Sequence, residues 1–121
     1  MAEFSLKGVN RVKNPENLTD LEKKHLPVIH VPEKVREGEP FSVEVAVGEL
    51  LKHPNELSHY INWIALYDER YTFLGMATLA PVVSEPRVRF TITLDEPAAL
   101  RAYAFCNLHG LWEGKRELRF G

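Results

Sequence analysis

The chain has 121 residues, enough for one ordinary domain and too few for two. Apolar residues at 45% and charged residues at 26% give the balance of a globular protein and exclude disorder as the main state. A formal net charge of −2 lacks the basic excess of a nucleic-acid binder, and no apolar run reaches the ~20 residues of a membrane-spanning helix. Residues 1–13 hold no continuous apolar stretch of the secretory type, so a cytoplasmic location is expected. The lone cysteine, Cys106, excludes an internal disulfide, so the fold rests on its core.

The chain divides into a short N-terminal segment, 1–24, and a domain, 25–121. Asn14-Pro15-Glu16 reads as a helix start, with Asn14 as cap and Pro15 in the first helical position. Leu18 and Leu21 would be the buried side of a helix ending near Lys24, and Pro27 imposes extended backbone. Two-residue alternation follows. Phe41, Val43, Val45 and Val47 alternate with Ser42, Glu44 and Ala46; Val88, Phe90, Ile92 and Leu94 alternate with Arg89, Thr91 and Thr93. Each pattern marks a strand with one face in a core and one in water. Ile61 to Tyr67 is more continuously apolar, as for a strand buried on both faces. Val28 to Val31, Tyr71 to Ala77, Ala98 to Cys106 and Trp112 to Phe120 complete about seven short strands. Turn residues separate them at Glu37-Gly38-Glu39-Pro40, Asp68-Glu69-Arg70, Ser84-Glu85-Pro86 and Asp95-Glu96-Pro97. The expectation is an all-β protein, a sandwich of immunoglobulin-like spacing. Leu50 to Tyr60 interrupts the rhythm: LLKHPNELSHY has turn composition and joins two strong strands, as functional loops do.

Four of the five histidines sit at turn edges or strand ends. His25 precedes Leu26-Pro27, His53 precedes Pro54, His59 closes the same loop, and His109 precedes Gly110, three residues after Cys106. Loops at one end of a sandwich converge, and a thiolate meeting several imidazoles is a transition-metal site. The plainer reading stands beside it. One histidine at a strand end is usually a surface residue, and a lone buried cysteine is usually core filler. Structural zinc takes four ligands, fewer than the candidates here, and no second cysteine knuckle is present. Blue copper also uses a late Cys and His on a sandwich but wants an axial Met near them. Gly110 to Glu113 supply none, and Met76 lies far back. Five nitrogen and sulfur donors suit non-haem iron with one open position.

Three stretches carry a family resemblance: Lys24-His25-Leu26-Pro27-Val28-Ile29; His53-Pro54-Asn55 with His59; and Cys106-Asn107-Leu108-His109-Gly110-Leu111-Trp112-Glu113. Together they resemble the superoxide reductases, the one-iron neelaredoxin type and the catalytic domain of desulfoferrodoxin, from about Lys23 to the C-terminus. The resemblance implies an immunoglobulin-like sandwich with one exposed iron per chain. It implies His25, His53, His59 and His109 as equatorial ligands, Cys106 as the axial sulfur, and Lys24 as the cation flanking the open side. It further implies reduction of superoxide to hydrogen peroxide, a rubredoxin-type electron donor, and a dimer or tetramer. The alternative is a copper or iron electron carrier without superoxide turnover. The chain departs from the family at one place. The usual Glu-Lys-His is Lys23-Lys24-His25 here, with Glu22 one residue upstream. His30 has no ligand counterpart and reads as a surface residue. Asn107 reads as a loop-orienting residue, Trp112 as core.

Overall fold

The computed structural model describes residues 4–96 and 98–121. Residues 1–3 of the expected N-terminal segment and Pro97 of the last turn lie outside that description. Eight strands form: β1 (Val9–Asn10), β2 (Val28–His30), β3 (Phe41–Ala46), β4 (Ile61–Asp68), β5 (Phe73–Thr78), β6 (Arg87–Ile92), β7 (Leu100–Cys106) and β8 (Gly110–Arg116). One helix, α1 (Asp20–His25), precedes β2. Five strands make one sheet in the order β1-β8-β7-β4-β5, and three make the other in the order β2-β3-β6. All pairings are antiparallel except β1 with β8.

The alternating segments behave as their pattern dictates. Phe41, Val43 and Val45 of β3 point inward, cross-strand from Ile92, Phe90 and Val88 of β6. They meet Ile64, Leu66, Leu100, Ala102 and Ala104 from the larger sheet, giving the all-β sandwich that the alternation predicts. Gly75 belongs to the same packing, because a Cβ there would lie 2.7 Å from the Phe90 ring.

Three differences from the sequence reading have physical causes. β4 is buried by the opposing sheet on one face only. Its outward Trp63 and Tyr67 are half-buried by neighbouring rings, Trp63 stacking on Phe105 at 5.9 Å and Tyr67 meeting Tyr103 at 5.5 Å. The helix begins five residues later than Asn14-Pro15 suggests. Asn14 closes a separate turn, accepting from Asn17 N, and the true cap is Thr19. Thr19 and Glu22 form a capping box: Thr19 Oγ1 accepts from Glu22 N at 3.1 Å, and Glu22 Oε1 accepts from Thr19 N at 2.9 Å. The buried side chains of α1 are then Glu22 and His25 rather than leucines. The eighth strand, β1, has two residues and no readable alternation; it joins the sheet beside β8.

Candidate metal centre

One end of the sandwich gathers the candidate residues from three separate segments. His25 ends α1, and its backbone passes over β8 at Gly114, where an added Cβ would stand 2.0 Å from Pro27 O. Only glycine admits that crossing. His53 and His59 lie in the connection between β3 and β4. Gly48 starts that connection with φ +81°, and a Cβ on it would stand 2.7 Å from His53 N. Glu56 and His59 exchange two backbone hydrogen bonds, at 2.9 and 3.1 Å, which folds the loop back on itself. Asn55 pins it to the β5–β6 connection, accepting from Val82 N at 2.7 Å and donating to Ser84 O at 3.1 Å. Cys106 ends β7, and His109 sits in the turn before β8. Asn107 ties this turn to the histidine loop, accepting from Tyr60 N and donating to Ser58 O, both at 2.9 Å.

The four imidazoles form a closed circuit. Ring centres are 4.7 Å apart for His25–His53, 4.7 Å for His53–His59, 5.1 Å for His59–His109 and 5.0 Å for His109–His25. Each ring stands edge-on to the next, with interplanar angles between 61° and 84°. Donor atoms of His25, His59, Cys106 and His109 all lie within 4.8 Å of one another. His53 joins them through the thiol: its Nε2 is 3.4 Å from Cys106 Sγ, and His109 Nδ1 is 3.8 Å from the same sulfur.

Tautomers follow from the hydrogen bonds. His25 Nδ1 donates to Leu21 O at 2.7 Å, and His53 Nδ1 donates to Pro54 O at 2.6 Å. Each Nε2 therefore carries a lone pair. The Nε2 atoms of His25 and His59 are buried without a hydrogen-bond partner. Two buried ring nitrogens left unpartnered cost about 1–3 kcal/mol each, a standing reason for a cation among them. The spacing agrees. Four imidazole nitrogens set square about a shared cation, each about 2.1 Å from it, would place adjacent ring centres roughly 4.5 Å apart, close to the values here. The residues fit a metal with four nitrogen donors and one sulfur donor. Met76 lies on β5, half-exposed and apart from this group, so the axial methionine of a copper site is lacking among the clustered residues.

The electrostatics favour neutral rings at His25, His53 and His59. Burial first, then the neighbouring rings, depress His25 and His53 from 6.5 to about 4. Burial also lowers His59, followed by the charge of His109, with Glu56 opposing and Lys24 assisting. Burial raises the Cys106 thiol, partly offset by the backbone N–H groups of Leu108 and His109, which point at the sulfur. Lys24 is half-buried, and its ammonium bears on both His25 and His59. Glu22 does not reach the cluster: its carboxylate is taken by the N–H groups of Thr19 and Lys13. His30 lies on the surface, bonded to Glu49 at 2.7 Å. Trp112 has a role that composition does not reveal. It stacks on His25 at 4.9 Å and donates from Nε1 to His109 O at 3.0 Å, bracing two of the imidazoles. Phe4 stands edge-on to His109 at 4.8 Å, a contact with no sequence signal beyond an early aromatic.

Fold and cluster together define a β-sandwich whose loop end gathers His25, His59, His109 and Cys106 as possible metal ligands, with His53 against the thiol. The chain belongs to the desulfoferrodoxin family, whose sequence model, Desulfoferrodoxin, matches residues 17–115. It is 37% identical over 103 residues to the superoxide reductase of Pyrococcus abyssi, covering 78% of this chain and 87% of that protein. It is 31% identical over 110 residues to the neelaredoxin of Megalodesulfovibrio gigas, covering 77% and 85%. Among solved structures, the superoxide reductase (neelaredoxin) of Ignicoccus hospitalis superposes with a TM-score of 0.72 at 43% identity, over 80% of this chain and 81% of that one.

Proposed function

We propose that this protein is a superoxide reductase, reducing superoxide to hydrogen peroxide at one iron held by His25, His53, His59, His109 and Cys106. The observation that carries this reading is the closed ring of four buried or half-buried imidazoles around a buried thiol, with two Nε2 atoms buried and unpartnered. The names of the relatives at 31–43% identity support it. Iron bound there supplies the single electron, and two protons complete hydrogen peroxide. The chain's residues do the rest. Leu21 O and Pro54 O fix the ring planes of His25 and His53, so donor atoms need little rearrangement to receive a cation. Trp112 and the Asn107 clamp hold the two loop segments at a fixed separation. The N–H groups of Leu108 and His109 stabilise negative charge on Cys106 Sγ and temper its donation. Lys24 presents a point charge beside His25 and His59, which raises the encounter rate of an anion and carries protons on Nζ next to where it binds. With Lys23 where the family usually has glutamate and Glu22 engaged in the cap, this segment brings no carboxylate to the cluster. A small external donor of the rubredoxin type would restore the electron. A cytoplasmic dimer or tetramer is the accompanying expectation, and no helix among the described residues is long and apolar enough to cross a membrane.

The test is metal analysis followed by anaerobic mixing of the ferrous protein with a superoxide pulse. We expect about one iron per chain, and one hydrogen peroxide per superoxide consumed with no oxygen released. A protein that takes copper but no iron, or that yields oxygen and peroxide in equal amounts, overturns the proposal. A visible thiolate-to-iron band in the oxidised protein, absent from Cys106→Ser, checks the sulfur ligand separately.

A further inference from the structure

Residues 4–13 lie ahead of the segment matched by the family, and they form an arm along β8. Val9 and Asn10 pair in parallel with Leu111 and Trp112. Asn10 fastens the arm on both sides: Nδ2 donates to Ser5 O and to Leu111 O, each at 2.9 Å, and Oδ1 accepts from Ser5 N at 2.8 Å. Ser5 O rests where Gly110 lacks a side chain; a Cβ there would be 3.0 Å from it. Arg11 Nε continues the attachment, donating to the buried Glu113 at 2.7 Å. The arm thus arrives beside His109 with a fixed path, and it ends in Phe4, whose ring meets the His109 imidazole at 90°. Phe4 is only half-buried and contributes nothing to the sandwich core, so the contact with His109 is what its ring is positioned for.

We propose that Phe4 is a positioning residue for His109. The arm holds the plane of that imidazole with Nδ1 toward Cys106 Sγ and keeps water off its outer edge. A ligand must swing away before a multidentate site can lose its metal, and the half-exposed His109 cannot swing without breaking its edge-on contact with Phe4. An edge-on aromatic pair of this kind is strong enough to slow that step by roughly two- to tenfold. The identity of the metal as iron rests on the proposed function; the role of the arm does not.

The experiment compares wild type, Phe4→Ala, Phe4→Tyr and Asn10→Ala, each loaded with ferrous iron and mixed with excess ferrous chelator. The visible band of the oxidised form is recorded in parallel. Phe4→Ala should release iron roughly two- to tenfold faster and shift or broaden the band. Phe4→Tyr should restore both to wild type. Asn10→Ala, which removes no atom that touches the imidazole but unfastens the arm that carries Phe4, should reproduce Phe4→Ala. Equal release rates and an unmoved band in Phe4→Ala overturn the proposal, as does equal loss in Phe4→Ala and Phe4→Tyr. If wild type takes up no iron, the proposed function fails, and the same four proteins loaded with cobalt(II) still decide the role of Phe4, since a thiolate and imidazoles hold either ion.

Discussion

Glu22 offers the sharpest separation between a structural and a metal-facing carboxylate. It is 5% exposed and accepts from Thr19 N at 2.9 Å and Lys13 N at 3.0 Å. In Glu22→Gln the amide offers one oxygen, so one of those N–H groups faces an NH2 instead. The lost charge-assisted bond and the weakening of the other amount to about 2–3 kcal/mol. For a domain of this size that lowers the thermal midpoint by roughly 6–15 °C. Burial pushes the Glu22 carboxyl up, but the hydrogen bonds from Thr19 and Lys13 outweigh it and leave the native value lowered. A carboxyl with a native pKa below its unfolded one takes up its proton on unfolding, so its stabilisation is complete above the unfolded value and fades as pH falls through the native one. Urea unfolding of both proteins, followed by circular dichroism from pH 7 downward, should show the full gap at pH 7 and a narrowing gap below about pH 4.5. A negligible gap at pH 7, or one that stays constant into acid, refutes the capping argument. If Glu22 served the metal instead, the substitution would alter the oxidised spectrum and spare the fold.

Three further outcomes follow from the same geometry. In metal-free protein His25 and His53 resist protonation to about 4, so each takes up a proton on unfolding, and stability should fall by about 1.4 kcal/mol per pH unit per ring between pH 6.5 and 4; a flat profile from pH 7 to 5 contradicts it. Lys24→Ala should slow the bimolecular reaction with superoxide roughly two- to fivefold at low ionic strength, lose that difference in high salt, and leave iron content unchanged, as stopped-flow mixing would show. Gly114→Ala forces a methyl group into Pro27 O. It should cost more than about 3 kcal/mol and displace His25, so soluble variant protein binding a full complement of iron would be evidence against the packing described.

Much of this was legible in the chain, for identifiable reasons. β3 and β6 alternate cleanly because each has one face on the core, and Pro and Gly mark the turns between strands. The five clustered side chains stand at turn edges, where a sandwich gathers its loops. Sequence misled where polar groups are buried. Asn14-Pro15 has the composition of a helix start, but Thr19 with Glu22 satisfies twice as many free N–H groups at the cap. Tyr103, Arg11 and Arg101 form a polar network around the buried Glu113 across β7, β8 and the arm, assembled from residues up to 102 positions apart. Pairings at that distance have no local periodicity. For the same reason the contact of Phe4 with His109 emerges only once β8 has laid the arm beside the turn.

A chain with a single thiol cannot staple itself covalently, yet three remote stretches meet at one point here. A cation held by all of them would close two independent loops, of roughly 30 and 50 residues, as cross-links would. By the chain-entropy account each such closure removes on the order of 4 kcal/mol of freedom from the denatured ensemble. If the proposed iron is held there, loading would also be a maturation step. Molecules made during iron scarcity would persist as a looser population, open to proteolysis at the histidine loop before they had ever met a substrate.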